Sequence, residues 1–226
     1  MKKILLVLIC TCVLTLSTLS TAQAETNGMY VAPKFLMTWQ NNHADFDEST
    51  DGQITGDNIF NSQFTVGGAL AVGYDFFPQH NLPIRTEIEF ALRGNNDRSE
   101  TFNYGTKFKS TINNSTLMLN LFYDFHNDSD FTPYITAGAG IAFIYAKNVI
   151  SNYQSYLSVN KNTTNFAWNL GAGIAYNVNE NVAIDLGYRY INMGTVESQV
   201  YYKGEDIYID NHLYNHEVAL GVRFTF

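Results

Sequence analysis

The sequence predicts an all-β protein: a closed, antiparallel, up-and-down transmembrane β-barrel of eight strands, preceded by a signal peptide. Three observations lead there. An export leader opens the chain, the rest alternates apolar and polar residues over long segments, and the connections between those segments alternate long and short.

Lys2 and Lys3 supply a positive n-region, Ile4 to Leu19 an apolar stretch, and Ala22-Gln23-Ala24 a small-x-small cleavage site. Cleavage after Ala24 removes residues 1–24 and leaves 25–226 as one outer-membrane barrel domain. A membrane anchor fits poorly, because Ser and Thr dilute the run from Thr15 onward and no charged stop-transfer flank follows. Cys10 and Cys12 lie inside the leader, preceded by Ile9 and Thr11 rather than by the small residue a lipoprotein needs. The mature chain then has no thiol, which excludes disulfides, cysteine metal sites and cysteine nucleophiles; no cofactor is expected.

Of 226 residues, 15% are aromatic and only 15% charged, against roughly 25% charged in soluble domains. Loss of Lys2 and Lys3 takes the formal charge from −8 to −10, which argues against nucleic acid as a partner. Beyond Leu19 no apolar run approaches the roughly 18 residues of a membrane helix, so strands decide the fold.

The alternation is cleanest in four segments. Gln63 to Phe76 sets Phe64, Val66, Leu70, Val72 and Tyr74 against Gln63, Thr65, Ala69, Ala71 and Asp75. Thr116 to Phe125 sets Leu117, Leu119, Leu121 and Tyr123 against Thr116, Met118, Asn120 and Asp124, and Asn165 to Val178 repeats the scheme. The last segment sets Val218, Leu220, Val222, Phe224 and Phe226 against Glu217, Ala219, Gly221, Arg223 and Thr225. Met29 to Trp39, Ile84 to Arg93, Thr132 to Tyr145 and Val182 to Ile191 complete eight, with Pro33 and Pro133 near strand starts, where proline is tolerated.

These segments reach the 9–11 residues of a membrane strand, whereas sandwich strands run about 5–6. Their polar faces mix Gly and Ala with a few charges, which suits a narrow lumen. Aromatics gather near the segment ends: Tyr74, Phe76, Tyr123, Phe125, Tyr176 and Phe224 at one rim, and Trp39, Phe64, Phe143, Phe166 and Trp168 towards the other. Such girdles mark the two membrane interfaces. The connections at 41–62, 94–114, 147–164 and 192–212 are long, and those at 77–83, 126–131 and 179–181 short. With both termini periplasmic, every long connection is extracellular. A loop of about twenty residues can also hide a hairpin, so ten short strands are the alternative.

Asp185-Leu186-Gly187-Tyr188-Arg189-Tyr190, Thr132-Pro133-Tyr134 leading into Ala137-Gly138-Ala139-Gly140, and the terminal Arg223-Phe224-Thr225-Phe226 carry a family likeness. The chain resembles the OmpA-like and opacity-protein-like outer-membrane barrels of Gram-negative bacteria over its whole mature length. The resemblance implies that Val218, Leu220, Val222, Phe224 and Phe226 form the C-terminal signal read by the barrel assembly machinery. It also implies an adhesive or host-contact role, with outer-membrane lipid and lipopolysaccharide around the wall.

The inward face carries Lys34, Asp75, Arg85, Glu87, Glu89, Arg93, Asp124, Asp185, Arg189, Glu217 and Arg223. Eight strands leave a lumen just wide enough for side chains, so a paired network filling it is expected over a charged pore, with Glu217 and Arg223 near Asp185, Arg189 and Lys34. A hydrolase needs Ser, His and an acid converging. Of the histidines, His80 and His126 fall in short turns, His43 and His212 in long loops, and His216 faces lipid by parity. His126-Asn127-Asp128-Ser129 offers the residue types but sits at the wrong end for outer-leaflet lipid A. Asp45, Asp47, Glu48, Asp51 and Asp57 lack the EF-hand register and read as a solvated acidic loop. Exposed Tyr with Asn, Gly and Ser at 103–105, 151–156 and 200–204 suits macromolecular contact. The expectation is a non-enzymatic surface barrel, with a small-solute channel as first alternative and a lipid A-modifying enzyme as second.

Overall fold

The computed structural model describes residues 27–47, 59–101, 107–151, 156–202 and 205–226. The segment expected as a leader, with Ala22 and Ala24, and the acidic residues Glu48, Asp51 and Asp57 lie outside them.

Nine hydrogen-bonded segments follow in order: β1 (Met29–Asp47), β2 (Ile59–Asp75), β3 (Ile84–Arg93), β4 (Asn96–Thr101), β5 (Lys107–Asp124), β6 (Phe131–Ser151), β7 (Tyr156–Asn179), β8 (Val182–Tyr202) and β9 (Glu205–Thr225). All pairings are antiparallel between chain neighbours, β9 returns to β1, and β3 and β4 both pair with β5. Segments β3 and β4 are one stave interrupted at Gly94-Asn95, where one extra residue shifts the register against β5. The barrel is therefore closed by eight staves, and the ten-strand alternative falls away.

One hydrogen-bonded path around the wall runs Tyr30, Gly73, Glu87, Asn120, Gly138, Asn169, Ile191, Asn215 and back to β1 at Gln40. It returns ten residues further along β1 than it began, so the strands tilt steeply, at the upper end of the usual ~35–45°.

The period-two pattern becomes the two faces of the wall. Leu119 is 60% exposed and Phe166 68%, while Glu89 and Glu217 on the opposite face are fully buried. Outward rings form two belts. Near the termini stand Tyr74, Phe76, Tyr123, Phe125, Phe131, Tyr176 and Phe224; towards the other end stand Trp39, Phe64, Phe143, Phe166, Trp168 and Tyr214. Phe166 to Tyr176 on β7, and Tyr214 to Phe224 on β9, each separate the belts by ten residues. At a rise of ~3.3 Å and a tilt of ~40–45° this is about 24 Å along the axis, the height of an outer-membrane apolar band. Neighbouring rings pack within the belts, with centroids 5.2 Å apart for Trp39–Phe64 and 5.0 Å for Phe131–Tyr176.

The end that holds both termini is closed by short turns. Helix α1 (Phe77–His80) has Pro78 in its first turn, where no N–H is needed, and ends at Asn81 with φ 56°. Asp75 accepts from Phe77 N–H there, at 2.9 Å, and is a turn residue rather than a lumen charge. Glu180-Asn181 turns β7 into β8, and Asn179 accepts from Asn181 N–H.

The opposite end corrects the sequence reading. The segments expected as long loops are largely strand: β7 begins at Tyr156, ten residues beyond Phe166, and β8 runs to Tyr202. His43 and His212 are accordingly register partners on β1 and β9, not loop residues. The wall extends some 20 Å past the far belt. Among the described residues β7–β8 pairing stops at Trp168–Asn192 and β2–β3 pairing at Gly67–Arg93, while the other pairings continue. Above the belt the barrel thus parts into two four-stranded leaves, β8-β9-β1-β2 and β4-β5-β6-β7. A bulge at Asn192–Thr195, with Gly194 at φ 75°, marks one seam, and Asn165 Nδ2 donates across it to the carbonyls of Met193 and Thr195.

Candidate functional site

The chemistry of this chain is concentrated in the lumen. Between the belts, Lys34, Arg85, Arg93, Arg189 and Arg223 face Glu87, Glu89, Asp124, Asp185 and Glu217, five cations against five carboxylates. In a space of low dielectric each lone charge would cost several kcal/mol, so the pairing decides whether the barrel folds.

Glu217 is the hub. It takes Arg93 Nε at 2.7 Å, Arg189 Nε at 2.7 Å and the Thr38 hydroxyl at 2.7 Å. Arg189 continues to Glu89 at 2.7 Å, linking β8 to β3 across the lumen, and Arg93 also donates to Thr116 at 3.1 Å. Lys34 bridges Glu87 and Glu89, the latter at 2.7 Å. It reaches them over β2, whose inward face there is Ala69, Ala71 and Gly73. The sequence groups Lys34 with Asp185, Arg189, Glu217 and Arg223; its ion pairs run the other way around the wall, to Glu87 and Glu89. Arg223 and Asp185 meet loosely at 3.9 Å.

Nearer the termini Arg85 forks onto both oxygens of Asp124 and lies over the rings of Phe122 at 4.6 Å and Tyr134 at 5.3 Å. Tyr30, with Arg223 over its ring at 5.7 Å, donates to Glu87 at 3.3 Å. At the far belt the filling changes character. Met118, Ala142, Ile144, Ala167, Ile191, Met193 and Leu213 form an apolar cluster on one side, and Gln40, Thr65 and Asn114 a hydrogen-bonded patch on the other. The alternation marks Thr65, Met118 and Ala167 as inward, whereas Asn114 and Met193 fall in segments expected as long connections, and nothing in it signals the clustering.

A cavity of about 40 Å³ lies among Lys34, Asn120, Tyr134, Thr136, Asp185 and Gly187. That is room for a few waters, far below the 300–1,000 Å³ of a small-molecule site. Asn120 Nδ2, Thr136 Oγ1 and Asp185 Oδ1 are buried beside it without a protein hydrogen-bond partner.

Apart from the register partners His43 and His212, the histidine contacts are local. His126 stacks on Phe77 at 3.7 Å, while Ser129 Oγ donates to Asn127 rather than to His126. His216 bonds Tyr188 on the outer face, and Thr195 bonds His212. Among the described residues no three His, Cys, Asp or Glu side chains are grouped to hold a metal. Phe226 binds through its backbone: its N–H donates to Met29 and its carbonyl accepts from Asn27, closing the seam between β9 and β1.

Comparison with known proteins agrees with this architecture. The profile of the outer membrane protein beta-barrel domain family matches residues 8–226. Outer membrane protein PagN of Salmonella typhimurium is 36% identical over 175 residues, covering 71% of this chain and 72% of PagN. A protein of Rickettsia canadensis described as a candidate adhesin is 27% identical over 232 residues and 99% of both chains. Among solved structures, Neisserial surface protein A superposes with a TM-score of 0.51 at 18% identity, over 88% of this chain and 97% of its own. OprG of Pseudomonas aeruginosa gives 0.50 at 13% identity, over 89% and 98%. A closed eight-stave wall, an apolar band between two aromatic belts, and a family profile over nearly the whole sequence lead to one conclusion: the chain belongs to the outer-membrane β-barrel family, among its OmpA-like and opacity-like members.

Proposed function

We propose that the chain is a non-enzymatic surface barrel whose far end makes adhesive contact with a host cell or another macromolecular surface. The observation that carries this is the extension of the wall some 20 Å beyond the far belt as two leaves, when the band alone would suffice to span the membrane. Relatives described as candidate adhesins support the reading. The termini and short turns are periplasmic and the leaves extracellular; the leader is removed after Ala24. The barrel assembly machinery reads Val218, Leu220, Val222, Phe224 and Phe226. The lumen network of Lys34, Arg85, Glu87, Glu89, Arg93, Asp185, Arg189, Glu217 and Arg223 serves as filling, which disfavours the channel reading. The scattered histidines disfavour a lipid A-modifying enzyme.

The test uses a non-adherent Gram-negative host expressing the full chain or a variant with the β6–β7 and β8–β9 hairpins cut back to the far belt. The full chain should raise attachment to epithelial monolayers several-fold, and the trimmed chain, present at equal surface density, should not. Equal attachment by both would overturn the proposal. An epitope inserted between Tyr202 and Glu205 should be stained on intact cells, and one between Asn179 and Val182 only after permeabilisation.

A further inference from the structure

Above the far belt, β1, β8 and β9 place metal-binding residue types side by side. His43 on β1 is the register partner of His212 on β9, which in turn faces Thr195 on β8. Two residues further from the belt, Asp45 faces Asp210, and Asp210 faces Glu197. Positions two apart on a strand share a face, as do register partners, so a pair of histidines and a row of three carboxylates adjoin on one face of the leaf. It is the face that carries Trp39 and Tyr214 lower down, and the histidine pair stands about 5 Å beyond that belt along the axis. Asp45, read from the sequence as part of a solvated acidic loop, thus has a histidine two positions away and another carboxylate opposite.

Like charges directly opposite each other destabilise a sheet, and Asp45, Asp210 and Glu197 put three in one row. A cation held among them removes that repulsion. Carboxylates alone would favour calcium or magnesium, which take oxygen ligands. The adjoining imidazoles change the preference, because nitrogen together with carboxylate oxygen suits zinc and its neighbours among the transition metals. The spacing agrees. Cross-strand partners stand about 5 Å apart at Cβ, and same-face neighbours along a strand about 6.6 Å. His43, Asp45, Asp210 and His212 therefore occupy the corners of a rectangle small enough for four ligands to meet one ion at bonds of roughly 2.0–2.2 Å. Thr195 Oγ1 and His212 Nδ1 share a hydrogen bond of 2.8 Å, the kind of outer contact that orients an imidazole and assigns the metal to Nε2. Among the described residues no three such side chains are already drawn together around an ion site, so the metal itself closes the set.

We propose that His43, Asp45, Asp210 and His212, with Glu197 beside them, form a binding site for one divalent ion of the zinc class on the β8-β9-β1 leaf. The untagged mature chain, refolded in detergent micelles, is titrated with zinc chloride in a calorimeter. Wild type should bind one zinc ion per chain at micromolar free metal, and a millimolar excess of calcium or magnesium should not displace it. His43→Ala and His212→Ala should each weaken binding more than about tenfold, since even the outer contacts of a metal site are worth that much. Asp45→Asn and Asp210→Asn should weaken it too, and His80→Ala, in a turn at the other end, should leave it unchanged. Cobalt(II) in place of zinc should give the visible absorption of a low-coordinate nitrogen and oxygen ligand set, lost in His43→Ala. A wild type that binds no zinc, or equal affinity in wild type, His43→Ala and His212→Ala, overturns the site. Displacement of zinc by calcium overturns it as well, by showing only a counterion on an acidic surface. Should the alanine variants fail to fold, the wild type decides: zinc should shield His43 and His212, and not His80, from carbethoxylation by diethyl pyrocarbonate. Equal labelling of the pair with and without zinc overturns the proposal.

Discussion

Arg189 and Glu217 stand directly opposite each other in the β8–β9 register, joined through Arg189 Nε at 2.7 Å. Both then reach β3: Arg189 extends to Glu89, and Glu217 accepts from Arg93 there and from Thr38 on β1. A single register pair thus ties three separate parts of the wall together through the lumen, and the barrel's interior is organised around it.

Glu217→Gln should therefore be among the most damaging conservative substitutions in the chain. It leaves two guanidinium groups facing a neutral amide in a buried space, a loss of about 3–5 kcal/mol. Urea titration of folding into detergent micelles reads this as a lower midpoint with an unchanged slope. A midpoint equal to wild type would mean that the network is spectator filling.

The wall is equally specific about size. A Cβ on Gly140 would run into the carbonyl oxygen of Leu117, which is backbone and cannot move aside, whereas on Gly68 it would meet nothing closer than Lys34 O at 3.6 Å. Gly140→Ala should cost about 1–3 kcal/mol by overpacking, and Gly68→Ala should change stability by less than about 1 kcal/mol. Heat-modifiability on gels ranks the two. Equal shifts would contradict the close approach.

Phe226 separates two roles that the sequence presents as one. Its backbone closes the β9–β1 seam, while its ring belongs to the proposed assembly signal. Phe226→Ala keeps the backbone bonds, so folding into detergent should proceed as in wild type while assembled protein in cells falls. Deleting Phe226 should impair both. Normal cellular assembly of Phe226→Ala would remove the ring from the signal.

Inside the membrane band the fold was legible because lipid outside and filling inside enforce opposite residue types at every second position. The faces of Gln63 to Phe76, Asn165 to Val178 and the last strand are readable for that reason. Above the far belt, Tyr156 to Thr164 and Thr195 to Tyr202 carry no continuous apolar stripe in the sequence. Their strand character comes from cross-strand pairing, which a single segment does not display. The partners of Lys34 are hidden from the sequence for another reason. Pairing across a lumen depends on the stagger of the staves, and the ten-residue displacement around this barrel lifts Lys34 to the level of Glu87 and Glu89. Inward charge was readable; its partners were not.

The most direct test of a sealed barrel that acts through its far end is single-channel recording of the refolded mature chain in planar bilayers. The paired charges and the apolar cluster around Met118 and Ile191 predict a silent membrane, with no steady conductance steps at moderate voltage. Steady, reproducible steps of one amplitude from the wild-type chain would contradict the account and return the channel reading to first place.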